Sequence, residues 1–134
     1  MDLTTEQRAI RDTVRKFARE EVRPTAAEAD ETETFPEDVW DGLADIDLTA
    51  LTVPEEYGGL DVDGLTYAVV NEELAHGQLA VATALSVHCL ATSCPATLGD
   101  GTQKERLLPA MADGRQVGCI ARWERHAGSS PGDM

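Results

Sequence analysis

Apolar residues in the first part of the chain repeat every three or four positions, which is the period of a helix with one buried face. Ile10, Val14 and Phe17 form such a repeat. Thr4 precedes it, and Gln7 follows three residues later, which is the pattern of a capping box at a helix start. The pattern predicts a first helix that begins at this threonine.

Two more helices are predicted before residue 50. Pro24 is predicted to restart the helix, because proline suits a first helical turn, and the acidic stretch to Thr34 to end it. The dipeptide Phe35-Pro36 opens a third segment, which ends near Asp47. Its apolar residues again lie three and four apart: Val39, Trp40 and Leu43.

The stretch "VPEEYGG", residues 53–59, interrupts the helical pattern. Pro54 cannot continue a helix, and Gly58 and Gly59 tolerate backbone angles that other residues avoid. A shaped loop is therefore predicted. From composition alone it either turns the chain or positions a ligand.

Three further helices are predicted after the loop. Asp63 is a plausible N-cap for a helix through Ala75, which is broken by Gly77. Residues 79–94, "LAVATALSVHCLATSC", are apolar almost all round and predict a central buried helix.

Prolines and glycines are expected to end the last two helices. Pro95 and Gly99 are expected to bound the central helix. Thr102 and Glu105 are predicted to form a second capping box, for a helix that reaches Leu108. Pro109 and Gly114 are expected to close that region.

The period changes near the carboxy terminus. In "RQVGCIARW", residues 115–123, Val117, Cys119 and Ala121 alternate with Gln116, Gly118, Ile120 and Arg122, which predicts a strand. The fold class is therefore all-α over residues 1–114, a helical bundle-like domain, with one β-strand in residues 115–134. No second strand of similar quality is predicted, so a helical domain that ends in one strand is expected to be the front part of something longer.

Charge narrows the classes of partner. The 134 residues carry a formal charge of −14, and from Pro24 through Gly64 there are 13 acids and no lysine or arginine. Such a balance repels nucleic acid and anionic membranes. The acids form either a solvated surface suited to high salt or an acidic docking patch.

Cysteine usage and the amino terminus predict a cytoplasmic protein. The chain opens with no charged segment followed by an apolar one, and no apolar run is expected to span a membrane. The three cysteines are an odd count and are expected to be reduced and packed. His88 and Cys89 are adjacent, but no metal-ligand spacing accompanies them, so no metal site is predicted.

Four segments together resemble the amino-terminal helical domain of flavin-dependent acyl-CoA dehydrogenases. They are "LTTEQRAIRDTVRKFAREEVRP", "VPEEYGGLDVDGL", "VNEELA" and "QKERLLPAMADG", and they occur in the family's order and spacing. The resemblance implies an amino-terminal helical domain, a middle β domain and a carboxy-terminal four-helix bundle. This chain resembles the first of these and one strand of the second. The loop at residues 53–59 is then architectural.

The resemblance also implies site residues. Ser86, His88 and Cys89 match the part of the family that lines the acyl-chain pocket, although simple core packing stays open for each. FAD contacts in the family begin at the pattern L-T-E-P-x-A-G-S, which matches residues 122–129. The implied cofactor-binding residues here are Ile120, Arg122, Trp123, Gly128 and Ser129.

The chain departs from the family at two places. Arg122, Trp123 and Arg125 stand where the pattern has Leu, Thr and Pro. Asp47 stands where the family usually has glycine, which adopts a left-handed helix cap more easily. Both changes are interpreted as relaxed constraint.

No catalytic residue is nominated, because the family's carboxylate base lies in the carboxy-terminal bundle. The family acts on acyl-CoA, and a homo-oligomer or a related dehydrogenase subunit is a possible partner. Three hypotheses stay open: the leading domain of a dehydrogenase, a stand-alone helical interaction module, and an inactive remnant. In each, this chain alone is expected to be inactive.

Overall fold

The structure, a computed structural model, describes residues 2–121 and 123–133. Within these residues six α-helices follow one another along the chain. They are α1 (Thr5–Phe17), α2 (Arg23–Thr32), α3 (Glu37–Asp45), α4 (Gly64–Gly77), α5 (Leu79–Leu98) and α6 (Gly101–Ala112). The all-α prediction is confirmed.

The first helix begins where the sequence predicts. The Gln7 backbone N–H donates to the Thr4 hydroxyl at 3.1 Å, and the Thr4 N–H donates to the Gln7 side-chain carbonyl at 3.0 Å. The helix does not stop before Pro24. A π turn, Ala18–Val22, joins α1 directly to α2, and Pro24 lies in the first turn of α2 without interrupting the helical path of the chain.

The segment after α3 is a chain of short turns. Asp47 caps the short 3-10 helix Leu48–Ala50 with φ of 60°, so aspartate takes the left-handed conformation that glycine would take more easily. A second 3-10 turn, Glu55–Tyr57, ends at Gly58 with φ of 86°. The threonine hydroxyl of Thr49 donates to the Ala112 carbonyl at 2.7 Å, which ties this segment to α6.

The loop at residues 53–59 folds back on itself at Gly59, a position that only glycine fits. A Cβ added to Gly59 would lie 1.7 Å from the Val53 carbonyl oxygen. Three backbone N–H groups beyond it donate to earlier carbonyls: Leu60 to Ala50, Asp61 to Val53 and Val62 to Leu51. Val53 is fully buried in a small cluster with Ala50, Leu108 and Ala112. The loop is thus a packed structural element against α6.

The main core lies between α1, α3, α4 and α5. Asp63 caps α4 as predicted, and its carboxylate accepts from the Thr66 backbone N–H at 2.7 Å, a bond that holds the pKa of Asp63 below its ordinary value. The core side chains are mostly Leu and Val, as the low aromatic content of 4% requires. Those most deeply buried are Val14, Val22, Leu43, Leu51, Val70, Leu74, Val81 and Leu85.

Helix α5 is the long central helix of the sequence prediction, but it is only partly covered. The helix is long and apolar enough, by length and composition, to cross a membrane, and 33% of its apolar 18-residue window is buried. One face packs into the core through Val81, Leu85 and Cys89. Leu79 and Leu90 lie on the other side, 70% and 57% exposed. Because α5 packs partly into the core, its length and composition are weak evidence for a membrane span, since core helices have the same length and composition.

Three predicted boundaries are wrong. Helix α5 continues past Pro95 and ends at Leu98, capped by the predicted Gly99, and α6 continues past Pro109 to Ala112. The capping box of α6 is made by Asp100 and Gln103, two residues earlier than Thr102 and Glu105 would place it. Proline removes only its own N–H, and both prolines still accept helical bonds from residues four positions later.

The strand predicted over residues 115–123 is not confirmed. Residues 117–121 have no regular secondary structure, and no strand occurs among the residues that the structure describes. The segment is held at its start, where the Gln116 N–H donates to the Ala110 carbonyl at 2.9 Å and the Gly118 N–H donates to His88. A strand needs a neighbour to pair with, so the strand, and the boundary at residue 115, stay predictions.

Candidate functional site

His88 lies in the middle of the protein and is fully buried. Its Nδ1 accepts from the Gly118 N–H at 2.9 Å. Its Nε2 lies 3.1 Å from the Thr49 carbonyl oxygen and 3.2 Å from that of Met111. Because Nδ1 must accept and Nε2 must donate, these partners define the neutral tautomer with its proton on Nε2.

The environment of His88 keeps its ring neutral. Burial lowers the pKa of His88 from its ordinary value of 6.5, and the bonds to the two carbonyls oppose that shift only in part. The Trp40 ring and the imidazole pack edge to face, with the ring centroids 5.2 Å apart. His88 therefore joins α5, α6, the segment after α3 and the carboxy-terminal segment. This is the core-packing role that the sequence analysis kept as the alternative to lining the acyl-chain pocket.

Cys89 is also buried, with 2% of its surface exposed. Burial raises the pKa of the Cys89 thiol, so the unreactive protonated form is favoured. Its backbone carbonyl accepts from the hydroxyls of Thr52 and Thr92, at 3.2 and 2.8 Å. All three cysteines are free thiols, as expected from the sequence, although Cys94 and Cys119 are exposed.

Ser86 lies on a different side of α5 from His88, in an apolar groove between α4 and α5 of about 410 Å³. The Ser86 hydroxyl donates to the Asn71 side-chain carbonyl at 2.7 Å, and the Asn71 amide donates to the Tyr67 carbonyl at 2.9 Å. The other groove residues are Ala75, Leu79, Ala82, Thr83, Val87 and Leu90. The structure thus separates the three predicted pocket residues: Ser86 faces an open groove, and His88 and Cys89 lie in the core.

The predicted cofactor run forms a tight turn. The Glu124 N–H donates to the Ala127 carbonyl at 2.8 Å, and the Ala127 N–H donates back to the Glu124 carbonyl at 3.3 Å. This turn brings Gly128 against the indole of Trp123, where an added Cβ would lie 2.6 Å from the ring carbon Cδ1. Ile120 is half-buried, Ser129 is exposed, and Arg122 lies outside the described residues.

This turn does not fit a flavin in its present conformation. The Trp123 indole occupies the side of Gly128 on which a Cβ would lie, so that side of the turn is closed to a ligand. The indole itself is 71% exposed, so the run forms no enclosed pocket for a ring system. The implied cofactor contacts therefore stay predictions.

Sequence reasoning missed the side chains that support these residues. Thr52 and Thr92 share a hydrogen bond of 3.0 Å behind Cys89, and Asn71 holds Ser86. A threonine within the apolar run of α5 was the available signal, since a buried hydroxyl needs a partner. Nothing local to the sequence pointed to Asn71, which lies one helix away. Within residues 2–121 and 123–133, no group of three or more potential metal ligands lies together.

A family profile and the sequences of known proteins match the same family over most or all of the chain. The family profile described as "Acyl-CoA dehydrogenase, N-terminal domain" matches residues 4–115. An acyl-CoA dehydrogenase of Bacillus subtilis is 34% identical over 100% of this chain and 36% of its own length. The chain therefore spans about a third of the length of such relatives.

Solved structures share the fold. The structure of butyryl-CoA dehydrogenase from Megasphaera elsdenii superposes with a TM-score of 0.87, at 28% identity, over 98% of this chain and 35% of that one. An acyl-CoA dehydrogenase from Bacillus anthracis, solved as a complex with FAD, gives 0.89 at 24% identity over 99% of this chain and 23% of that one, which shows the fold alone. The chain belongs to the acyl-CoA dehydrogenase family and corresponds to its amino-terminal helical domain.

Proposed function

We propose that this chain forms the helical wall beside the active site of an FAD-dependent acyl-CoA dehydrogenase, an enzyme that introduces an α,β double bond into acyl-CoA thioesters. Helix α5 is the observation that carries the proposal. One of its faces is built into the core, and the other presents exposed Leu79 and Leu90 beside the groove that contains Ser86. Such a face is expected where another domain completes the structure.

The residues of this chain are proposed to bind and shape rather than to react. The groove between α4 and α5 is apolar and offers one oriented hydroxyl, Ser86, whose hydrogen bond to Asn71 fixes its direction. We place the acyl chain along this face. His88 and Cys89 then act from behind, because their hydrogen bonds and packing set the position of α5. No carboxylate of this chain is proposed as the catalytic base.

The cofactor contacts of the chain are proposed to need rearrangement. Ile120, Trp123, Gly128 and Ser129 belong to the run that resembles the family's flavin-binding pattern, and FAD supplies the electron acceptor in the family. For Gly128 to approach a pyrophosphate, the Trp123 indole must leave the glycine face that it now covers. The chain alone is therefore expected to bind FAD poorly.

Flavin titration of the purified chain tests this expectation. At micromolar FAD we expect no shift of the flavin absorbance and no bleaching on addition of butyryl-CoA. A yellow protein that bleaches with the acyl-CoA would show that the chain holds a working site, and would overturn the assignment of a supporting role.

A second candidate function is a helical interaction module that binds a related dehydrogenase subunit or a second copy of itself. The same exposed leucines favour it, together with the Trp123 indole over Gly128. Light scattering distinguishes the two candidate functions. An interaction module that binds a second copy of itself should form a defined dimer, and the double variant Leu79→Asp with Leu90→Asp should be a monomer. The cytoplasm is the proposed location, in keeping with three free thiols.

A further inference from the structure

A groove of about 290 Å³ lies where α1 and the π turn meet the end of α4, and it shares no lining residue with the groove that contains Ser86. Three arginines, Arg15, Arg19 and Arg23, follow one another at a spacing of four residues along its wall. His76 stands on the opposite side. We propose that this groove binds a small phosphate-bearing anion of about the size of pyrophosphate, a site independent of the proposed dehydrogenase function.

Close packing of two backbones forms the floor of the groove. A Cβ added to Gly77 would lie 2.8 Å from the Ala18 carbonyl oxygen and 3.0 Å from the Val22 Cβ. Only glycine therefore allows α4 to approach the π turn this closely. The approach brings the three arginines, which lie on α1, the π turn and α2, to the same groove as His76 of α4.

The one carboxylate in the groove is already neutralised. Both oxygens of Glu73 accept from Arg15, at 3.0 Å from Nε and 2.6 Å from Nη2, and the Glu73 side chain is only 7% exposed. This pair fixes the Arg15 guanidinium and leaves Nη1 unused. A fixed guanidinium with free N–H groups binds a phosphate oxygen without losing much side-chain entropy.

The other two arginines keep most of their donors available. Arg19 is 69% exposed and contacts Glu20 through Nη2 alone, and exposed pairs of this kind are weak. The Arg23 backbone N–H donates to the Ala18 carbonyl, but its guanidinium makes no hydrogen bond or ion pair with the residues that the structure describes. Two guanidiniums can therefore converge on one anion beside a third that is held in place.

The charge distribution of the whole chain favours a small anion over a membrane. Six of the eleven basic residues lie between Arg8 and Arg23, and none lies from Pro24 to Gln103. The groove thus gathers three of the eleven basic residues in a molecule with a formal charge of −14. A phosphate-rich surface would meet the acidic faces as well, whereas a small anion meets only the groove.

Titration of the full 134-residue chain with sodium pyrophosphate tests the proposal, with sodium chloride of equal ionic strength as the reference. The signals are the NMR resonances of the arginine Nε–H groups and the Gly77 amide. The groove variant Arg19→Ala with Arg23→Ala is compared with Arg11→Ala with Lys16→Ala, which removes the same charge from residues of the same region that do not line the groove. Circular dichroism confirms that both variants keep the fold.

We expect saturable shifts at Gly77 and the groove arginines in the parent chain. The groove variant should bind about tenfold more weakly, and the control variant within about twofold of the parent. Equal weakening in both variants, or shifts that chloride reproduces, would show charge screening without a site and would overturn the proposal. Binding to phosphatidylglycerol vesicles without binding to pyrophosphate would overturn it as well.

Discussion

At the scale of single residues, His88 shows how far a sequence can be interpreted. Position 88 could be singled out because an imidazole interrupts an apolar helix, and the absence of metal-ligand spacing argued against a metal. Its hydrogen-bond partners could not be predicted, because Thr49, Met111 and Gly118 come from three other parts of the chain. The neutral tautomer is a property of the assembled core.

The pH dependence of stability tests this assignment. The folded state lowers the pKa of His88 below 6.5, so as the pH falls below about 6.5 the unfolded state takes up the proton first. The contribution of His88 is fully present above that pH and is lost as the pH falls toward the folded pKa. We expect His88→Gln to flatten the decline of Tm between pH 7 and 5, relative to the parent.

His76→Gln is the matched control, because it removes an exposed imidazole from a helix end. Subtracting the parent curve removes the opposite effect of protonating carboxylates, which relieves repulsion in an acidic chain. A His88→Gln variant with the same pH slope as the parent would contradict a neutral, buried imidazole.

At the scale of elements, local signals located the starts of helices better than their ends. The first capping box and the Asp63 cap depend on contacts three residues apart, so they can be predicted from sequence. Pro95 and Pro109 were misinterpreted as helix ends, because each gives up one N–H and packing maintains the rest of the turn. The groove beside Ser86 depends on two helices at once, which no local pattern describes.

The loop at residues 53–59 provides a test at this scale. Gly59→Ala should unfold or strongly destabilise the domain, by about 3 kcal/mol or more, because its Cβ would collide with the Val53 carbonyl. Gly64→Ala is the matched control, since nothing lies within 4 Å of the added Cβ and the position is helical. It should be neutral or slightly stabilising. Chemical denaturation measures both, and equal midpoints would contradict a packed loop.

At the scale of the whole molecule, charge is the least balanced property. The acids between residues 24 and 64 have no lysine or arginine among them, and the close ion pairs of the described residues lie elsewhere: Arg11 with Asp12, Arg15 with Glu73, Arg19 with Glu20, and Arg115 with Asp113. Repulsion among these acids opposes folding. The number of acids can be counted in the sequence, whereas the ion-pair partner of each basic residue is known only from the fold.

Salt should therefore stabilise the chain. The Debye length falls from about 10 Å at 0.1 M salt to about 3 Å at 1 M, so repulsion between exposed acids is screened. We expect Tm to rise between dilute buffer and 1 M potassium chloride. A flat or falling curve would contradict an acidic surface that is destabilised at low salt.

The central claim is that this chain is the helical domain of an acyl-CoA dehydrogenase and supports a flavin site that other domains complete. Replacing the matching segment of the Bacillus subtilis relative with residues 4–115 of this chain tests it most directly. The measurement is the visible absorbance of the purified chimera before and after addition of butyryl-CoA. We expect a yellow protein that bleaches, and a folded but colourless chimera would contradict the assignment.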